Sequence, residues 1–341
     1  GGSKYALTGK LTAASQAIAA MPGIWRDCIH GSGELDLSGV RVLSSSQYLW
    51  STGAVGSGLA GFFASKLMRS RVRPVAAEAL PAPFNTAKFS GSLYQLQEPV
   101  LDVASVVRIL YSQLTDYCWQ LPTDQLQVNP RQPGCITIAG RLQLNYQAAV
   151  LCAGAGNRQL LDVWGRASPA MQLRPLHMLM LKGDLPTLYA HCLGLSANPR
   201  VTITSYPLDN GQVVWYLGGQ IAEQGVKRTG LQQIEAGKAE LKDLLPWMDL
   251  SDMQWSAYRI DRAEPAMDAG QRPDDCYLHH EAPVYTAWPT KLAFAPRLAE
   301  KLLGELSVQG IHASAEVDLN GLDCLPRPTH FNSPWELATW N

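Results

Sequence analysis

Ala148, Ala149, Val150, Leu151, Cys152, Ala153, Gly154, Ala155, Gly156, Asn157 is the stretch on which the reading of the fold turns. Its first half is small and apolar with Val150 and Leu151 at the centre, which predicts a strand buried on both faces. The Gly154, Ala155, Gly156 run predicts a tight turn where backbone comes close to something. Open α/β sheets hold their ligands at the end of such a strand. A purely structural strand-to-loop turn is the competing reading, and the flanking sequence has to separate the two.

Outward toward the N-terminus, Ile136–Ile138, a turn at Ala139 and Gly140, and Leu142–Leu144 alternate as a hairpin does and lead into this strand. Earlier, Pro99 and Asp102 precede Val103, Val106, Val107, Leu110 and Leu114, an amphipathic helix with proline and acid at its positive end. Residues 75–97 read as loops with one short strand, Ser92–Gln95. Val40–Leu43 reads as a strand, and Thr8–Ala20 as an amphipathic helix that Pro22 and Gly23 stop. Gly56, Gly58 and Gly61 have the spacing of the dinucleotide fingerprint, and Leu59–Met68 after them reads as a helix. That fingerprint works when its first glycine directly ends a hydrophobic strand, so that the helix start points free amides at a pyrophosphate. Here Ser51, Thr52 and Gly53 interrupt the lead-in, which favours a small-residue helix packed closely on a neighbour.

Outward toward the C-terminus, Leu176–Lys182, Val201–Ser205 and Val213–Leu217 read as strands, the last following an Asn210–Gly211 turn and ending at Gly218 and Gly219. They suggest an antiparallel sheet separate from the layer of the opening strand. Leu231–Leu245 is a helix stopped by Pro246, Trp255–Ile260 another strand, and Val284–Trp288 a last strand running into the helix Leu292–Leu303. The tail from Val308 to Asn341 reads as an extended arm on its Pro and polar content.

Composition narrows the classes. A chain of 341 residues, 46% hydrophobic, can bury a full core and is expected to carry two interleaved domains. With 28 basic and 29 acidic residues, no basic stripe suggests nucleic acid. The 7 cysteines are scattered without metal-ligand spacing and read as small buried residues of a reducing compartment. No signal peptide and no bilayer-spanning apolar run stand out, so the expectation is a cytoplasmic chain with peripheral membrane contact left open. No carboxylate pair and no Ser, His, Asp pattern suggests a hydrolase.

Five places, in order, resemble the flavin-dependent oxidases and dehydrogenases related to D-amino acid oxidase, glycine oxidase and glycerol-3-phosphate dehydrogenase. Gly1, Gly2, Ser3, Lys4, Tyr5 resembles the glycine pair, basic residue and tyrosine after the first strand and helix of the glycerol-3-phosphate branch. Val150–Asn157 resembles the second flavin-contacting strand and its small-residue turn. Val213–Gly219, with Glu223 and Gly225, resembles the substrate-domain strand ending in paired glycines. Trp255, Ser256, Ala257, Tyr258, Arg259 stands where the family has a tryptophan followed by the arginine that pairs with a substrate carboxylate. Val284–Pro296 resembles the closing strand and helix that approach the flavin ring. There are departures. The family's first strand with its glycine fingerprint is missing, so the chain reads as a fragment; Ile260 replaces the proline after the arginine; Trp288, Pro289, Thr290, Lys291 replaces the glycine-rich approach to the ring.

The resemblance implies an α/β fold in which an FAD/NAD(P)-binding, Rossmann-like layer, N-terminally truncated, is interleaved with a mixed, largely antiparallel substrate domain. Residues 1–39, 96–170 and 284–341 are expected to form the first, and 40–95 and 171–283 the second. The implied cofactor is FAD, held by Gly1, Gly2, Ala153, Gly154, Ala155, Gly156, Pro289, Thr290, Lys291 and Leu292. Arg259, with Arg262 as second candidate, would clamp the carboxylate of a small amino acid or 2-hydroxy acid, because a planar guanidinium offers two parallel bonds. Lys291 would stabilise negative charge on the reduced ring. His177, at the start of an apolar strand, reads first as a hydrogen-bonded core residue and only second as a base. Two other functions stay open at this point: a non-catalytic remnant or binding module, and nicotinamide-nucleotide binding through Gly56, Gly58 and Gly61.

Overall fold

The computed structural model describes residues 13–53, 72–121, 123–129, 132–194, 198–268, 273–313, 319, 321–329 and 331–341. Gly1, Gly2, the start of the Thr8–Ala20 helix, the Gly56, Gly58, Gly61 spacing and Leu59–Met68 lie outside the described residues. In the first part of the chain the strands are β1 (Val42–Ser44), β2 (Gln47–Ser51), β3 (Val72–Pro74), β4 (Ser92–Leu96) and β5 (Val100–Leu101). Then come β6 (Leu126–Val128), β7 (Cys135–Ile138), β8 (Leu142–Asn145), β9 (Ala149–Leu151), β10 (Met171–Gly183) and β11 (Tyr189–Cys192). β12 (Thr202–Pro207), β13 (Val213–Gly218), β14 (Gln254–Pro265), β15 (Tyr277–Glu281) and β16 (Val284–Trp288) complete them. The helices are α1 (Ala13–Ile29), α2 (Val103–Gln113), α3 (Asn157–Val163), α4 (Gln220–Gln224), α5 (Gly230–Leu244) and α6 (Ala295–Val308).

These form two compact units, the first of residues 1–109, 175–260 and 331–341, the second of 110–174 and 261–330. The expected domains had other boundaries, with residues 1–39 and 331–341 in the nucleotide layer.

The first unit is built on an eight-stranded sheet in the order β14, β10, β13, β12, β11, β2, β4, β3. The pairings β10–β13, β12–β13, β11–β12, β2–β4 and β3–β4 are antiparallel, and β11–β2 is parallel. Leu179 pairs with Leu217 and Leu181 with Trp215, so one apolar row crosses both strands. It meets Ile234, Leu241 and Leu244 of α5 in the core, each such side chain contributing about 2 kcal/mol on burial. α5 forms where it does because Thr229 and Gln232 make a reciprocal capping box, and Pro246, lacking an amide, cannot extend it. Gly237 lets the helix come close: a Cβ there would stand 2.5 Å from Leu179 Cδ1.

α1 corrects an expectation. Pro22 lies inside the helix, which continues to Ile29 instead of stopping. Ile18, Met21 and Cys28 are all buried, so packing along one face holds the backbone helical past a residue that removes one hydrogen bond.

The second unit contains the stretch that opens the sequence reading. β7 and β8 form the expected hairpin, Ile138 opposite Leu142, with Ala139 at φ 51° and Gly140 at φ 69° as the left-handed central residues of a turn in which the Arg141 amide donates to Ile138 O at 3.2 Å. β9 lies at the edge of a three-stranded sheet in the order β15, β16, β9 and runs parallel to β16. One face is covered, Leu151 packing with Leu161 of α3 and Val284. Val150, on the other face, is 36% exposed, so β9 is not buried on both faces as expected. Short edge strands alternate faces, and only one face of β9 finds a partner among the described residues.

Candidate functional site

β9 and β16 are parallel, pairing Ala149 with Val284 and Leu151 with Thr286, so their carboxyl ends emerge at one edge. Beyond β9 the chain turns at once through Gly154–Gly156 into α3. Three hydrogen bonds fix this turn. Asn157, fully buried, accepts from the Ala153 amide at 2.6 Å and donates to Ala287 O at 3.2 Å, and the Trp288 indole donates to Gly154 O at 3.1 Å. The small-residue bend and the end of β16 are thus tied together.

The turn has the properties of a backbone-lined rest for a ligand. Gly154 has φ 61°, in the left-handed region where glycine is favoured, and a Cβ built there meets nothing within 4 Å. Its neighbours Ala153 and Ala155 are small and exposed. Backbone is therefore open to close approach at the switch between a strand end and a helix, the place where parallel strands present ligands.

After Trp288 the chain does not enter a helix directly. Pro289 accepts from the Lys291 amide at 2.6 Å, Thr290 adopts φ 58°, and a 3-10 turn, Leu292–Phe294, precedes α6. A non-glycine residue with positive φ costs about 1 kcal/mol, so the surroundings must impose it. The Thr290 hydroxyl donates to Asp275 O at 3.0 Å, and Asp275 is gripped by Arg297 at 2.8 Å and Lys301 at 3.0 Å. Partial burial works to raise the Asp275 pKa, but hydrogen bonds from Arg297, Lys301 and the Cys276 amide hold it well below the usual carboxylate range. Lys291 places its ammonium 4.9 Å over the Phe294 ring, while Leu292 is exposed. Of the proposed ring-side residues, all four thus stand in one short segment beginning directly after the residue that bonds Gly154.

The two arginines stand in different units, Arg259 in the first and Arg262 in the second. Arg259 is exposed, and its guanidinium donates to Val226 O and, at 2.6 Å, to Arg228 O. Two of its five donors are occupied in this way. Arg262 is half-buried.

The carbonyls that Arg259 holds belong to a knot the sequence reading missed. His177 is buried, and its Nδ1 lies 3.0 Å from Gly225 O, which bears out its reading as a core residue. Gln233, also fully buried, donates to His177 O at 2.8 Å and Ile221 O at 3.0 Å and accepts from Arg228 at 3.0 Å. A glutamine in the first turn of a helix gives no sequence signal of this kind, because the carbonyls it bonds are remote in the chain.

Close by in the first unit, Tyr216 of β13 and Tyr258 of β14 bond hydroxyl to hydroxyl. Burial, then the neighbouring Tyr216, pushes the Tyr258 pKa far up, and burial pushes that of Tyr206 up to about 12. The Tyr258 and Tyr206 hydroxyls stay neutral donors and acceptors.

Among the described residues no helix is long and apolar enough to cross a membrane. No protein-family model matches the chain. It is 45% identical over 340 residues, 99% of its length and 86% of the relative's, to the "Probable FAD-dependent oxidoreductase PA4991" of Pseudomonas aeruginosa. The fold is similar to the crystal structure of the FAD-dependent oxidoreductase PA4991 from Pseudomonas aeruginosa, TM-score 0.83 and 41% identity over 95% of this chain and 84% of that one. It is also similar to glycine oxidase from Geobacillus kaustophilus, TM-score 0.56 and 12% identity over 96% and 87% of the two chains. Iminodiacetate oxidase from Chelativorans sp. gives TM-score 0.56 and 13% identity over 92% and 83%. The open backbone at Gly154 and the cation-bearing segment 289–292 suit a flavin nucleotide, and on its similarity to the Pseudomonas protein the chain belongs to the FAD-dependent oxidoreductases.

Proposed function

We propose that this chain oxidises a small amino acid or 2-hydroxy acid at the carbon bearing the amine or hydroxyl, hydride passing to flavin N5. FAD, when bound, supplies the hydride acceptor; the protein supplies binding, orientation and charge. The observation that carries the reading is the Gly154 turn, opened to backbone approach and tied by Asn157 and Trp288 to the end of β16. In this reading Ala153, Gly154, Ala155 and Gly156, with Gly1 and Gly2 from the N-terminal segment, bind the nucleotide. Pro289, Thr290, Lys291 and Leu292 line the ring side, with the Lys291 ammonium balancing negative charge that develops there.

Arg259 is the first candidate to bind the substrate carboxylate. Its exposed guanidinium is held in orientation by the carbonyls of residues 226 and 228 and keeps donors for a bidentate anion. Arg262 is the second. We place the chain in the cytoplasm because all its cysteines are free thiols, which fits a reducing compartment.

The test is anaerobic mixing of the flavin-loaded protein with a panel of amino acids and 2-hydroxy acids, following loss of the visible flavin band. Bleaching by at least one panel member, with Arg259→Lys raising KM about tenfold or more for it, supports the reading. A protein that takes up no flavin, or one that no member of the panel bleaches, overturns it.

A further inference from the structure

Two non-glycine residues adopt positive φ among the described residues, Ala139 at 51° and Thr290 at 58°. Ala139 sits in the β7–β8 hairpin, whose turn demands that conformation. Thr290 has no hairpin to serve. The Lys291 amide donates across it to Pro289 O at 2.6 Å, so residues 289–291 close a γ-turn of the rarer, positive-φ kind, with a β-branched residue at its centre. A glycine would take this shape without steric cost. Threonine brings a hydroxyl instead, and that hydroxyl donates to Asp275 O at 3.0 Å.

Strand register brings Asp275 to this place. β15 and β16 pair Tyr277 with Trp288, so the residues just before the first strand and just after the second come side by side. The Asp275 carboxylate accepts from the Cys276 amide at 2.7 Å, from Arg297 at 2.8 Å and from Lys301 at 3.0 Å. Arg297 and Lys301 stand one turn apart on the same face of α6. Asp275 therefore holds the strained turn through its carbonyl and the following helix through its carboxylate, and the segment between them is braced at both ends.

Packing does not account for the strain. Leu292 is 47% exposed and Lys291 half-buried, and the next side chain to enter the core is Phe294, over whose ring the Lys291 ammonium stands at 4.9 Å. Backbone strain that buries nothing where it occurs is the kind found at sites shaped for a ligand. The Trp288 indole bonds Gly154 O, so the strained turn begins one residue after the link to the cofactor-facing bend. What the turn sets is the direction of Lys291. An ammonium on a flexible stem is strongly hydrated, and its field is weakened by water and distance, so the charge that reaches a neighbouring group depends on where its backbone points it.

We propose that Asp275 is a positioning residue: through Thr290 and α6 it holds Lys291 toward the flavin ring and so raises the midpoint potential of the bound flavin. The inference rests on the ring-side reading of residues 289–292 above and adds the residue outside that segment on which their geometry depends. It carries a sign. If Asp275 acted only by its own charge, removing that negative charge would favour the more negative, reduced ring and raise the potential. Acting through Lys291, its removal lowers the potential.

The test is the midpoint potential of the full chain loaded with FAD, read by equilibration with a reference dye, with thermal melting run on each variant. Lys291→Met is expected to lower the two-electron reduction equilibrium about tenfold, which is about 30 mV. Asp275→Asn and Thr290→Ala are expected to lower it by about threefold or more, Thr290→Ser to stay at wild type, and Asp275→Asn combined with Lys291→Met to fall no lower than Lys291→Met alone. An Asp275→Asn potential at or above wild type, or a double variant below both single ones, overturns the proposal. Should Asp275→Asn fail to fold, Thr290→Ala decides by the same criterion. A lowered potential in Lys291→Met without one in Asp275→Asn removes this proposal and leaves the ring-side reading intact. A wild-type potential in Lys291→Met, or a wild-type chain that holds no flavin, removes that reading and this proposal with it.

Discussion

At Gly154, which follows β9, a Cβ would meet no atom within 4 Å, whereas at Gly225, beyond β13, it would stand 2.2 Å from Gln233 Oε1. Gly154 sits in a small-residue break just after an apolar strand, and Gly225 caps the short helix α4 that follows β13. Gly154 is needed for its left-handed φ of 61° and leaves backbone uncovered. Gly225 is needed because a buried glutamine, tied to His177 O, Ile221 O and Arg228, occupies the space. The first glycine makes room for something outside the fold, and the second closes the fold on itself. A small-residue break is therefore a site only when its missing side chain points into space that the protein leaves open.

The comparison predicts opposite phenotypes. Gly225→Val must displace Gln233 and break up to three buried hydrogen bonds, so it is expected to cost about 3 kcal/mol. Thermal unfolding measures this, and FAD bound per folded chain is expected to stay at the wild-type value. A Gly225→Val protein that melts with wild type would remove the packing side of the comparison.

Asn157→Ala sharpens the other side. It leaves the Ala153 amide and Ala287 O without their buried partner, at about 2 kcal/mol, and frees the turn as well. Loss of stability together with weaker FAD binding is the expected outcome; stability loss with unchanged FAD affinity would show that the turn needs no clamp.

The smallest effect is expected from pH. Asp275 has a depressed folded pKa, so its contribution is present above the ordinary carboxylate range and is lost as pH falls through that range toward the folded value. For a partly exposed ion network this is about 1 kcal/mol. Unfolding midpoints of Asp275→Asn and wild type should differ near neutrality and converge in acid. A difference that stays constant down to about pH 2 would contradict the assignment of the acid limb to this residue.

Much of this was legible in local patterns. Ala139–Gly140 and Asn210–Gly211 mark their turns because positive φ is a local demand, which Gly140 at 69° and Gly211 at 83° confirm. α2 was readable from its apolar spacing and from Asp102, whose carboxylate accepts from the Ala104 amide at 3.1 Å. What escaped depends on partners distant in sequence. α1 runs through Pro22 because Ile18, Met21 and Cys28 are buried. β9 exposes Val150 because it is an edge strand, and edges are set by topology rather than by composition. At the candidate site, the order of motifs singled out both the small-residue turn and the closing strand, and the structure ties the two by the bond from the Trp288 indole to Gly154 O. The hold of Arg259 on two backbone carbonyls was not legible, since carbonyls carry no sequence signature.

The central claim is that the backbone at Gly154 rests against FAD, and Gly154→Asn tests it most directly. Asparagine tolerates the left-handed region and adds bulk where the structure has none. FAD affinity, measured by titrating the flavin-free protein, should fall about tenfold or more while its melting point stays within a few degrees of wild type. An asparagine variant that binds FAD as tightly as wild type would contradict the account.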